Sequence, residues 1–183
     1  SSDLYMVTHD VKGMINLMGG EKPFEKQLDH IFDSKQYDMA NEPDIAYPYL
    51  YNFLKGKEWK TQQKVDQLIN EYFQNKPAGL PGNEDTGVMS AWLIYGMAGF
   101  YPITPAEPNY TFTSPKFTKI TLKRNPQYYP AGDLVIESNA SPENIYIKNI
   151  YIDGKPYKSY FISHEALKNA KKIRFELISK LGN

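Results

Sequence analysis

The chain has 183 residues, 41% of them apolar and 23% charged, the composition of a folded globular protein and not of a disordered or fibrous one. Its 21 basic and 21 acidic side chains cancel, so the electrostatic footprint of a nucleic-acid binder is missing. There is no cysteine, hence neither a disulfide framework nor a thiolate metal site.

Residues 4–8 read as a short extended piece. Asp10 then stands where an N-cap belongs, and Val11, Met14, Ile15 and Met18 recur at helical spacing over residues 11–18 before Gly19 and Gly20 end the run. A second helix is expected from Lys22 or Pro23 to Ser34, with Phe24, Leu28, Ile31 and Phe32 on its apolar side. After a loop over residues 35–41, Asp44 is the expected cap of a third helix, residues 45–54, with Pro48 in its first turn and Gly56 at its close. The fourth, residues 57–73, turns Val65, Leu68, Ile69 and Phe73 inward. The fifth follows a loop rich in Gly and Pro. From the residues alone, Asp85 or Thr86 caps it, and Val88, Met89, Trp92 and Tyr95 carry it to about Phe100.

Beyond Pro102 helical spacing gives way to β-branched alternation. Prolines at 102, 105 and 108 mark a boundary, which divides the chain into a helical part, residues 1–102, and a β-rich part, residues 103–183. Strands are expected over residues 117–122, 134–137, 145–148 and 172–177. Asp153-Gly154 reads as a tight turn between residues 150–152 and 155–157, and Ser163 as the cap of a short helix over residues 165–168. The fold class is therefore α+β: several helices, then a small, mostly antiparallel β unit.

The stretch with the most chemistry is Pro81-Gly82-Asn83-Glu84-Asp85-Thr86-Gly87, where a loop delivers an amide and two carboxylates to the start of an apolar helix. Adjacent side chains diverge, so Glu84 and Asp85 do not by themselves make a catalytic carboxylate pair. Together with Met89-Ser90-Ala91-Trp92 and Gly99-Phe100-Tyr101-Pro102, this stretch resembles the signature of glycoside hydrolase family 92, the calcium-dependent inverting exo-α-mannosidases. Further blocks keep the same order: Thr8-His9-Asp10-Val11-Lys12-Gly13, Asn41-Glu42-Pro43, Tyr49-Leu50-Tyr51-Asn52, Trp59-Lys60-Thr61-Gln62 and Ile152-Asp153-Gly154-Lys155. The resemblance covers nearly the whole chain.

It implies that the helices are the last part of an (α/α)6 toroid preceded, in a longer polypeptide, by a β-sandwich and the remaining toroid helices. It implies removal of terminal mannose, α-1,2-linked by expectation, from a glycan with inversion. Inversion needs one carboxylic acid on the leaving oxygen and one carboxylate on the attacking water. Asp85 is the implied general base, and the acid lies upstream, so this chain alone is expected to be inactive. Calcium is the implied cofactor, with Asn83 and Asp85 as metal ligands and Asn41, Glu42 and Glu84 as sugar contacts. Read without the resemblance, Asn41-Glu42-Pro43 is a turn and helix entry, and Trp92, Tyr47, Tyr49 and Tyr51 are core aromatics before they are sugar platforms. His9, His30 and His164 are too scattered for a transition-metal site. The family implies work outside the cytoplasm; the first residues do not form a signal peptide, so a signal would lie upstream of Ser1. The rival reading is a carbohydrate-binding or scaffold module that holds glycan without cleaving it.

Overall fold

The computed structural model describes residues 5–104 and 107–181. Leu4 and Pro105, which belong to the expected extended piece and to the linker, lie outside them. The chain falls into two compact units, residues 1–93 with 103–107, and residues 94–102 with 108–183.

In the first unit a 3-10 turn, Thr8–Asp10, occupies the end of the expected extended piece and leads into helix α1, Val11–Leu17. Asp10 caps α1 as expected, its carboxylate accepting from the Gly13 N–H at 2.8 Å. Helices α2 (Glu21–Asp33) and α3 (Glu58–Tyr72) bury the residues that their spacing singled out: Phe24, Leu28 and Ile31 on one, Val65, Leu68 and Ile69 on the other.

Between them the expected α-helix is instead a 3-10 run, Glu42–Phe53. Proline is the physical reason. Pro43 and Pro48 donate no N–H, and in an α-helix the Pro48 ring would press on the carbonyl of Asp44. The run is buried on every side, with Tyr47, Tyr49 and Tyr51 fully covered. Asp44 does not cap it. Its buried carboxylate turns back to accept from the Asp38 N–H at 3.0 Å and the Asn41 amide at 3.3 Å, which fixes the loop before the run. Burial pushes the Asp44 carboxyl above its ordinary range against the pull of those hydrogen bonds.

A charge cluster ties α2, the run and α3 together. The Lys60 ammonium lies 2.7 Å from Glu25 Oε1 and 2.8 and 2.7 Å from the two oxygens of Asp29, while the Tyr51 hydroxyl donates to Asp29 at 2.8 Å. Burial alone would lower the Lys60 pKa and raise that of Glu25. The hydrogen-bonded pairing outweighs it, so Lys60 is held above and Glu25 below its usual range.

Helix α4, Val88–Ala98, is apolar along nearly its whole length, and Gly99 closes it. The second unit contains two sheets. Strands β1 (Phe100–Tyr101), β2 (Asn109–Phe112) and β7 (Phe161–Ser163) form an antiparallel sheet that the sequence reading did not anticipate. The other has the order β3-β4-β8-β5-β6, with β3 at Lys119–Leu122, β4 at Leu134–Ser138, β5 at Tyr146–Ile152, β6 at Lys155–Tyr157 and β8 at Lys172–Ile178. All its pairings are antiparallel except β4 with β8. The two strands expected on either side of Asn149 are one strand, β5, carrying a register shift between Ile147 and Asn149. Asp153 and Gly154 make the expected two-residue turn between β5 and β6, both with positive φ. Ser163 caps the short helix α5, His164–Asn169, its hydroxyl accepting from the Ala166 N–H at 3.1 Å. Phe112 of β2 meets Phe175 of β8 edge to face at 5.5 Å, so one core serves both sheets. The fold class is α+β, as the sequence pattern implies.

Candidate active site

Two loops of the first unit carry the residues singled out from the sequence. The loop before the 3-10 run is shaped by Asp38, whose carboxylate accepts from the Ala40 N–H at 2.9 Å, and by Asp44. It presents Asn41, partly buried and bonded to Asp44, and Glu42, exposed. The loop before α4 presents Asn83 and Asp85, also exposed. The two loops meet at their backbones: a Cβ placed on Gly82 would stand 3.2 Å from both the Cα and the carbonyl oxygen of Ala40. Only a glycine permits that approach without displacing the neighbouring chain.

The backbone of the second loop is strained. Glu84 has φ 59°, Thr86 φ 54° and Gly87 φ 82°, so three of four consecutive residues are left-handed. For a residue with a Cβ this costs about 1–2 kcal/mol, and for β-branched Thr86 it is a marked outlier. Strain of this kind collects where a side chain has to be aimed.

Here the structure corrects the expected cap. Neither the Asp85 carboxylate nor the Thr86 hydroxyl receives a hydrogen bond from α4; a 3-10 turn, Asp85–Gly87, precedes the helix, with the Asp85 main-chain carbonyl accepting from the Val88 N–H, and the Glu84 carboxylate takes the capping role. Its Oε2 accepts from the Ser90 N–H at 3.0 Å and the Ser90 hydroxyl at 3.1 Å, with Oε1 3.2 Å from the same N–H. A carboxylate there also faces the positive end of the helix dipole. Asn83, Asp85 and Glu42 have no side-chain hydrogen bond or ion pair among the described residues. The resemblance implies a sugar contact for Glu84, and in the structure both oxygens of its carboxylate accept from Ser90. Glu84 lies six residues before Ser90, outside the short cap spacings read from sequence, and so escaped notice.

Trp92, Tyr47, Tyr49 and Tyr51 are fully buried, core aromatics and not exposed platforms. The Trp92 indole N–H donates to the Ile45 carbonyl at 2.8 Å, and Phe73 stacks on it at 5.6 Å. His9 and His30 are exposed, and His164 pairs with the Tyr110 hydroxyl at 3.1 Å in the second unit. A groove of about 280 Å³ lined by Phe32, Tyr37, Lys64 and Tyr72 contains none of the expected site residues.

Chemically, the meeting point of the loops offers oxygen donors only, which suits a hard cation. Among the described residues no three His, Asp or Glu side chains come together as a metal-binding group, so a cation here would depend on amide and carbonyl oxygens as well as carboxylates.

The fold and the exposed acids at the loops do not name a reaction by themselves; the comparisons assign the family. The chain belongs to glycosyl hydrolase family 92, whose catalytic-domain model matches residues 3–179. It is similar in structure to a family GH92 α-mannosidase from Bacteroides thetaiotaomicron, with TM-score 0.89 and 32% identity, covering 98% of this chain and 24% of that one. A family GH92 inverting mannosidase from Bacteroides thetaiotaomicron VPI-5482 gives TM-score 0.85 and 27% identity, covering 98% of this chain and 27% of that one. A protein of Arthroderma benhamiae described as an uncharacterized secreted glycosidase is 28% identical over 173 residues, 94% of this chain and 22% of that protein. The chain thus spans about a quarter of the length of these relatives. No helix among the described residues is long and apolar enough to cross a membrane.

Proposed function

We propose that this chain supplies the general-base side of an α-mannosidase that removes terminal mannose, α-1,2-linked, from glycans with inversion. The observation that carries the proposal is the junction of the two loops at Gly82 and Ala40, which leaves Asp85 exposed and unpaired on the same unit as Asn41, Glu42 and Asn83. In the proposed reaction Asp85 accepts a proton from water as that water attacks the anomeric carbon. The leaving oxygen is protonated from the opposite face by an acid in the upstream part of the polypeptide. Asn41 and Glu42 orient the mannose hydroxyls, and Asn83, an amide that cannot take a proton, serves as an oxygen donor. Calcium is the proposed cofactor, with Asn83 and Asp85 as this chain's ligands. When bound, it would hold sugar hydroxyls in the orientation that the reaction needs.

The helices are read as the closing part of an (α/α)6 toroid. In support, α4 is apolar on all sides, yet Ile94 is 64% exposed, a surface suited to further helices of the same enzyme. Without that upstream part the chain is predicted to be inactive. Its work is placed outside the cytoplasm, in line with the secreted relative.

Release of mannose from α-1,2-mannobiose by the complete polypeptide, with calcium and after chelation, tests the reading. The expected outcome is calcium-dependent release that Asp85→Asn lowers by about 10³-fold in kcat, with the thermal midpoint unchanged. Parent-like turnover in that variant would sink it.

A further inference from the structure

We infer that Glu84 is a positioning residue that aims Asp85 by clamping Ser90, and that it does not touch sugar. The inference rests on the reading of Asp85 as base.

The loop is enclosed between the two ends of Glu84. Its main-chain carbonyl accepts from the Gly87 N–H at 3.1 Å, and its carboxylate reaches past Gly87 to the amide and hydroxyl of Ser90. A Cβ on Gly87 would stand 3.6 Å from Glu84 Oε1, so the side chain lies folded over that residue. Asp85 sits inside this ring of contacts, between left-handed Glu84 and left-handed Thr86. A left-handed Thr does not hold its conformation unaided, because its Cβ crowds the following carbonyl. The grip of Glu84 on Ser90 is the contact that imposes it.

Ser90 is itself fixed. Two residues further along α4, Trp92 is bonded to Ile45 in the 3-10 run that begins at Glu42. Successive residues turn about 100° around an α-helix, so Ser90 and Trp92 point to nearly opposite sides. One turn of α4 therefore holds the Asp85 loop on one side and the run carrying Glu42 on the other. The clamp refers Asp85 to the same frame as Glu42, and an error of about 1 Å there would cost on the order of 100-fold in rate.

A sugar contact and a clamp predict different kinetics. We would measure kcat and KM for mannose release by the complete polypeptide with Ser90→Ala, Ser90→Thr, Glu84→Ala and Asp85→Asn. The clamp predicts that Ser90→Ala lowers kcat roughly tenfold with KM within twofold of the parent, that Ser90→Thr restores it, and that Glu84→Ala loses about 100-fold in kcat. Glu84→Ala that raises KM at unchanged kcat, beside parent-like Ser90→Ala, would overturn it and return Glu84 to the sugar. Should Glu84→Ala fail to fold, Glu84→Gln takes its place, because Ser90→Ala leaves the residue 90 amide bonded to Glu84 and removes only the hydroxyl contact. Asp85→Asn separates the two levels: parent-like turnover there removes the base reading and the clamp together. Lost turnover with Asp85→Asn beside parent-like kcat in both Glu84→Ala and Ser90→Ala removes only the clamp.

Discussion

The two units use their carboxylates differently. In the β unit every described carboxylate has a partner within the unit. Asp133 takes Lys123 and the Arg124 N–H, Glu137 takes Lys172, Asp153 takes the N–H groups of Lys171 and Lys172, and Glu176 takes Arg174 and Asn149. Glu143 and Glu165 are met by Ser141 and Asn169. In the helical unit the Lys60 cluster is treated the same way, but at the meeting of the two loops Glu42 and Asp85 stand exposed with no side-chain partner. Asp33 and Glu107 of the helical unit are likewise exposed without a side-chain partner, so what sets the loop apart is the left-handed backbone that carries Asp85 between Glu84 and Thr86.

Three substitutions press on that contrast. The largest effect on stability is expected at Arg124 of the β unit. Its guanidinium donates to the carbonyls of Gly132 at 2.6 Å, Leu167 at 2.9 Å and Ala170 at 2.7 Å, while lying over the Tyr129 ring. Arg124→Met leaves these carbonyls without that donor and should cost about 2–3 kcal/mol in urea unfolding. The turnover of the folded fraction in the complete enzyme should remain that of the parent. A fall in kcat without loss of stability would break the contrast.

Lys60→Met should cost about 2 kcal/mol, since it leaves Glu25 and Asp29 without their shared cation in a site where Lys60 is only 16% exposed. The pH dependence follows from the shifts. Glu25 is lowered in the fold, so its share of stability is present above its unfolded pKa and is lost as pH falls through the folded one. Lys60 is raised, so its share is complete below its unfolded pKa and is lost as pH rises through the folded one. The gap between parent and variant should be widest near neutrality and shrink in acid below the usual carboxylate range. A gap that widens in acid would show the cluster to be unimportant.

The smallest change is at the strained loop. Thr86→Gly removes a left-handed β-branched residue and should stabilise by about 1 kcal/mol, set against the entropy that glycine loses on folding. Turnover should fall at the same time, because the freed backbone no longer aims Asp85. Unchanged turnover in a stabilised variant would mean that the strain has no catalytic use.

Much of the local structure was legible in the residues. Asp10 and Ser163 cap their helices, Asp153-Gly154 turns its hairpin, and Ile173, Phe175 and Leu177 alternate inward along β8, because caps, turns and periodicity act over two to four residues. The chain's membership of a glycosidase family was legible too, in ordered blocks of residues. The cap of α4 was misassigned because Glu84 reaches six residues ahead, through a left-handed backbone that nothing in its neighbours' identities announces. The 3-10 run shows a local signal overridden: the spacing of residues 45–54 favours an α-helix, and two prolines in a run buried from Asp44 to Asn52 decide otherwise.

What the sequence alone determined, then, is the centres of most helices and of the larger sheet's strands, and the family to which the chain belongs. The tertiary structure decided which loop residues stay open. Short-range hydrogen bonding specifies those centres. Which residues stay open depends on contacts that bring Ala40 to Gly82, Trp92 to Ile45 and Phe112 to Phe175, pairs more than forty positions apart, whose meeting is set by packing and not by their neighbours in the chain.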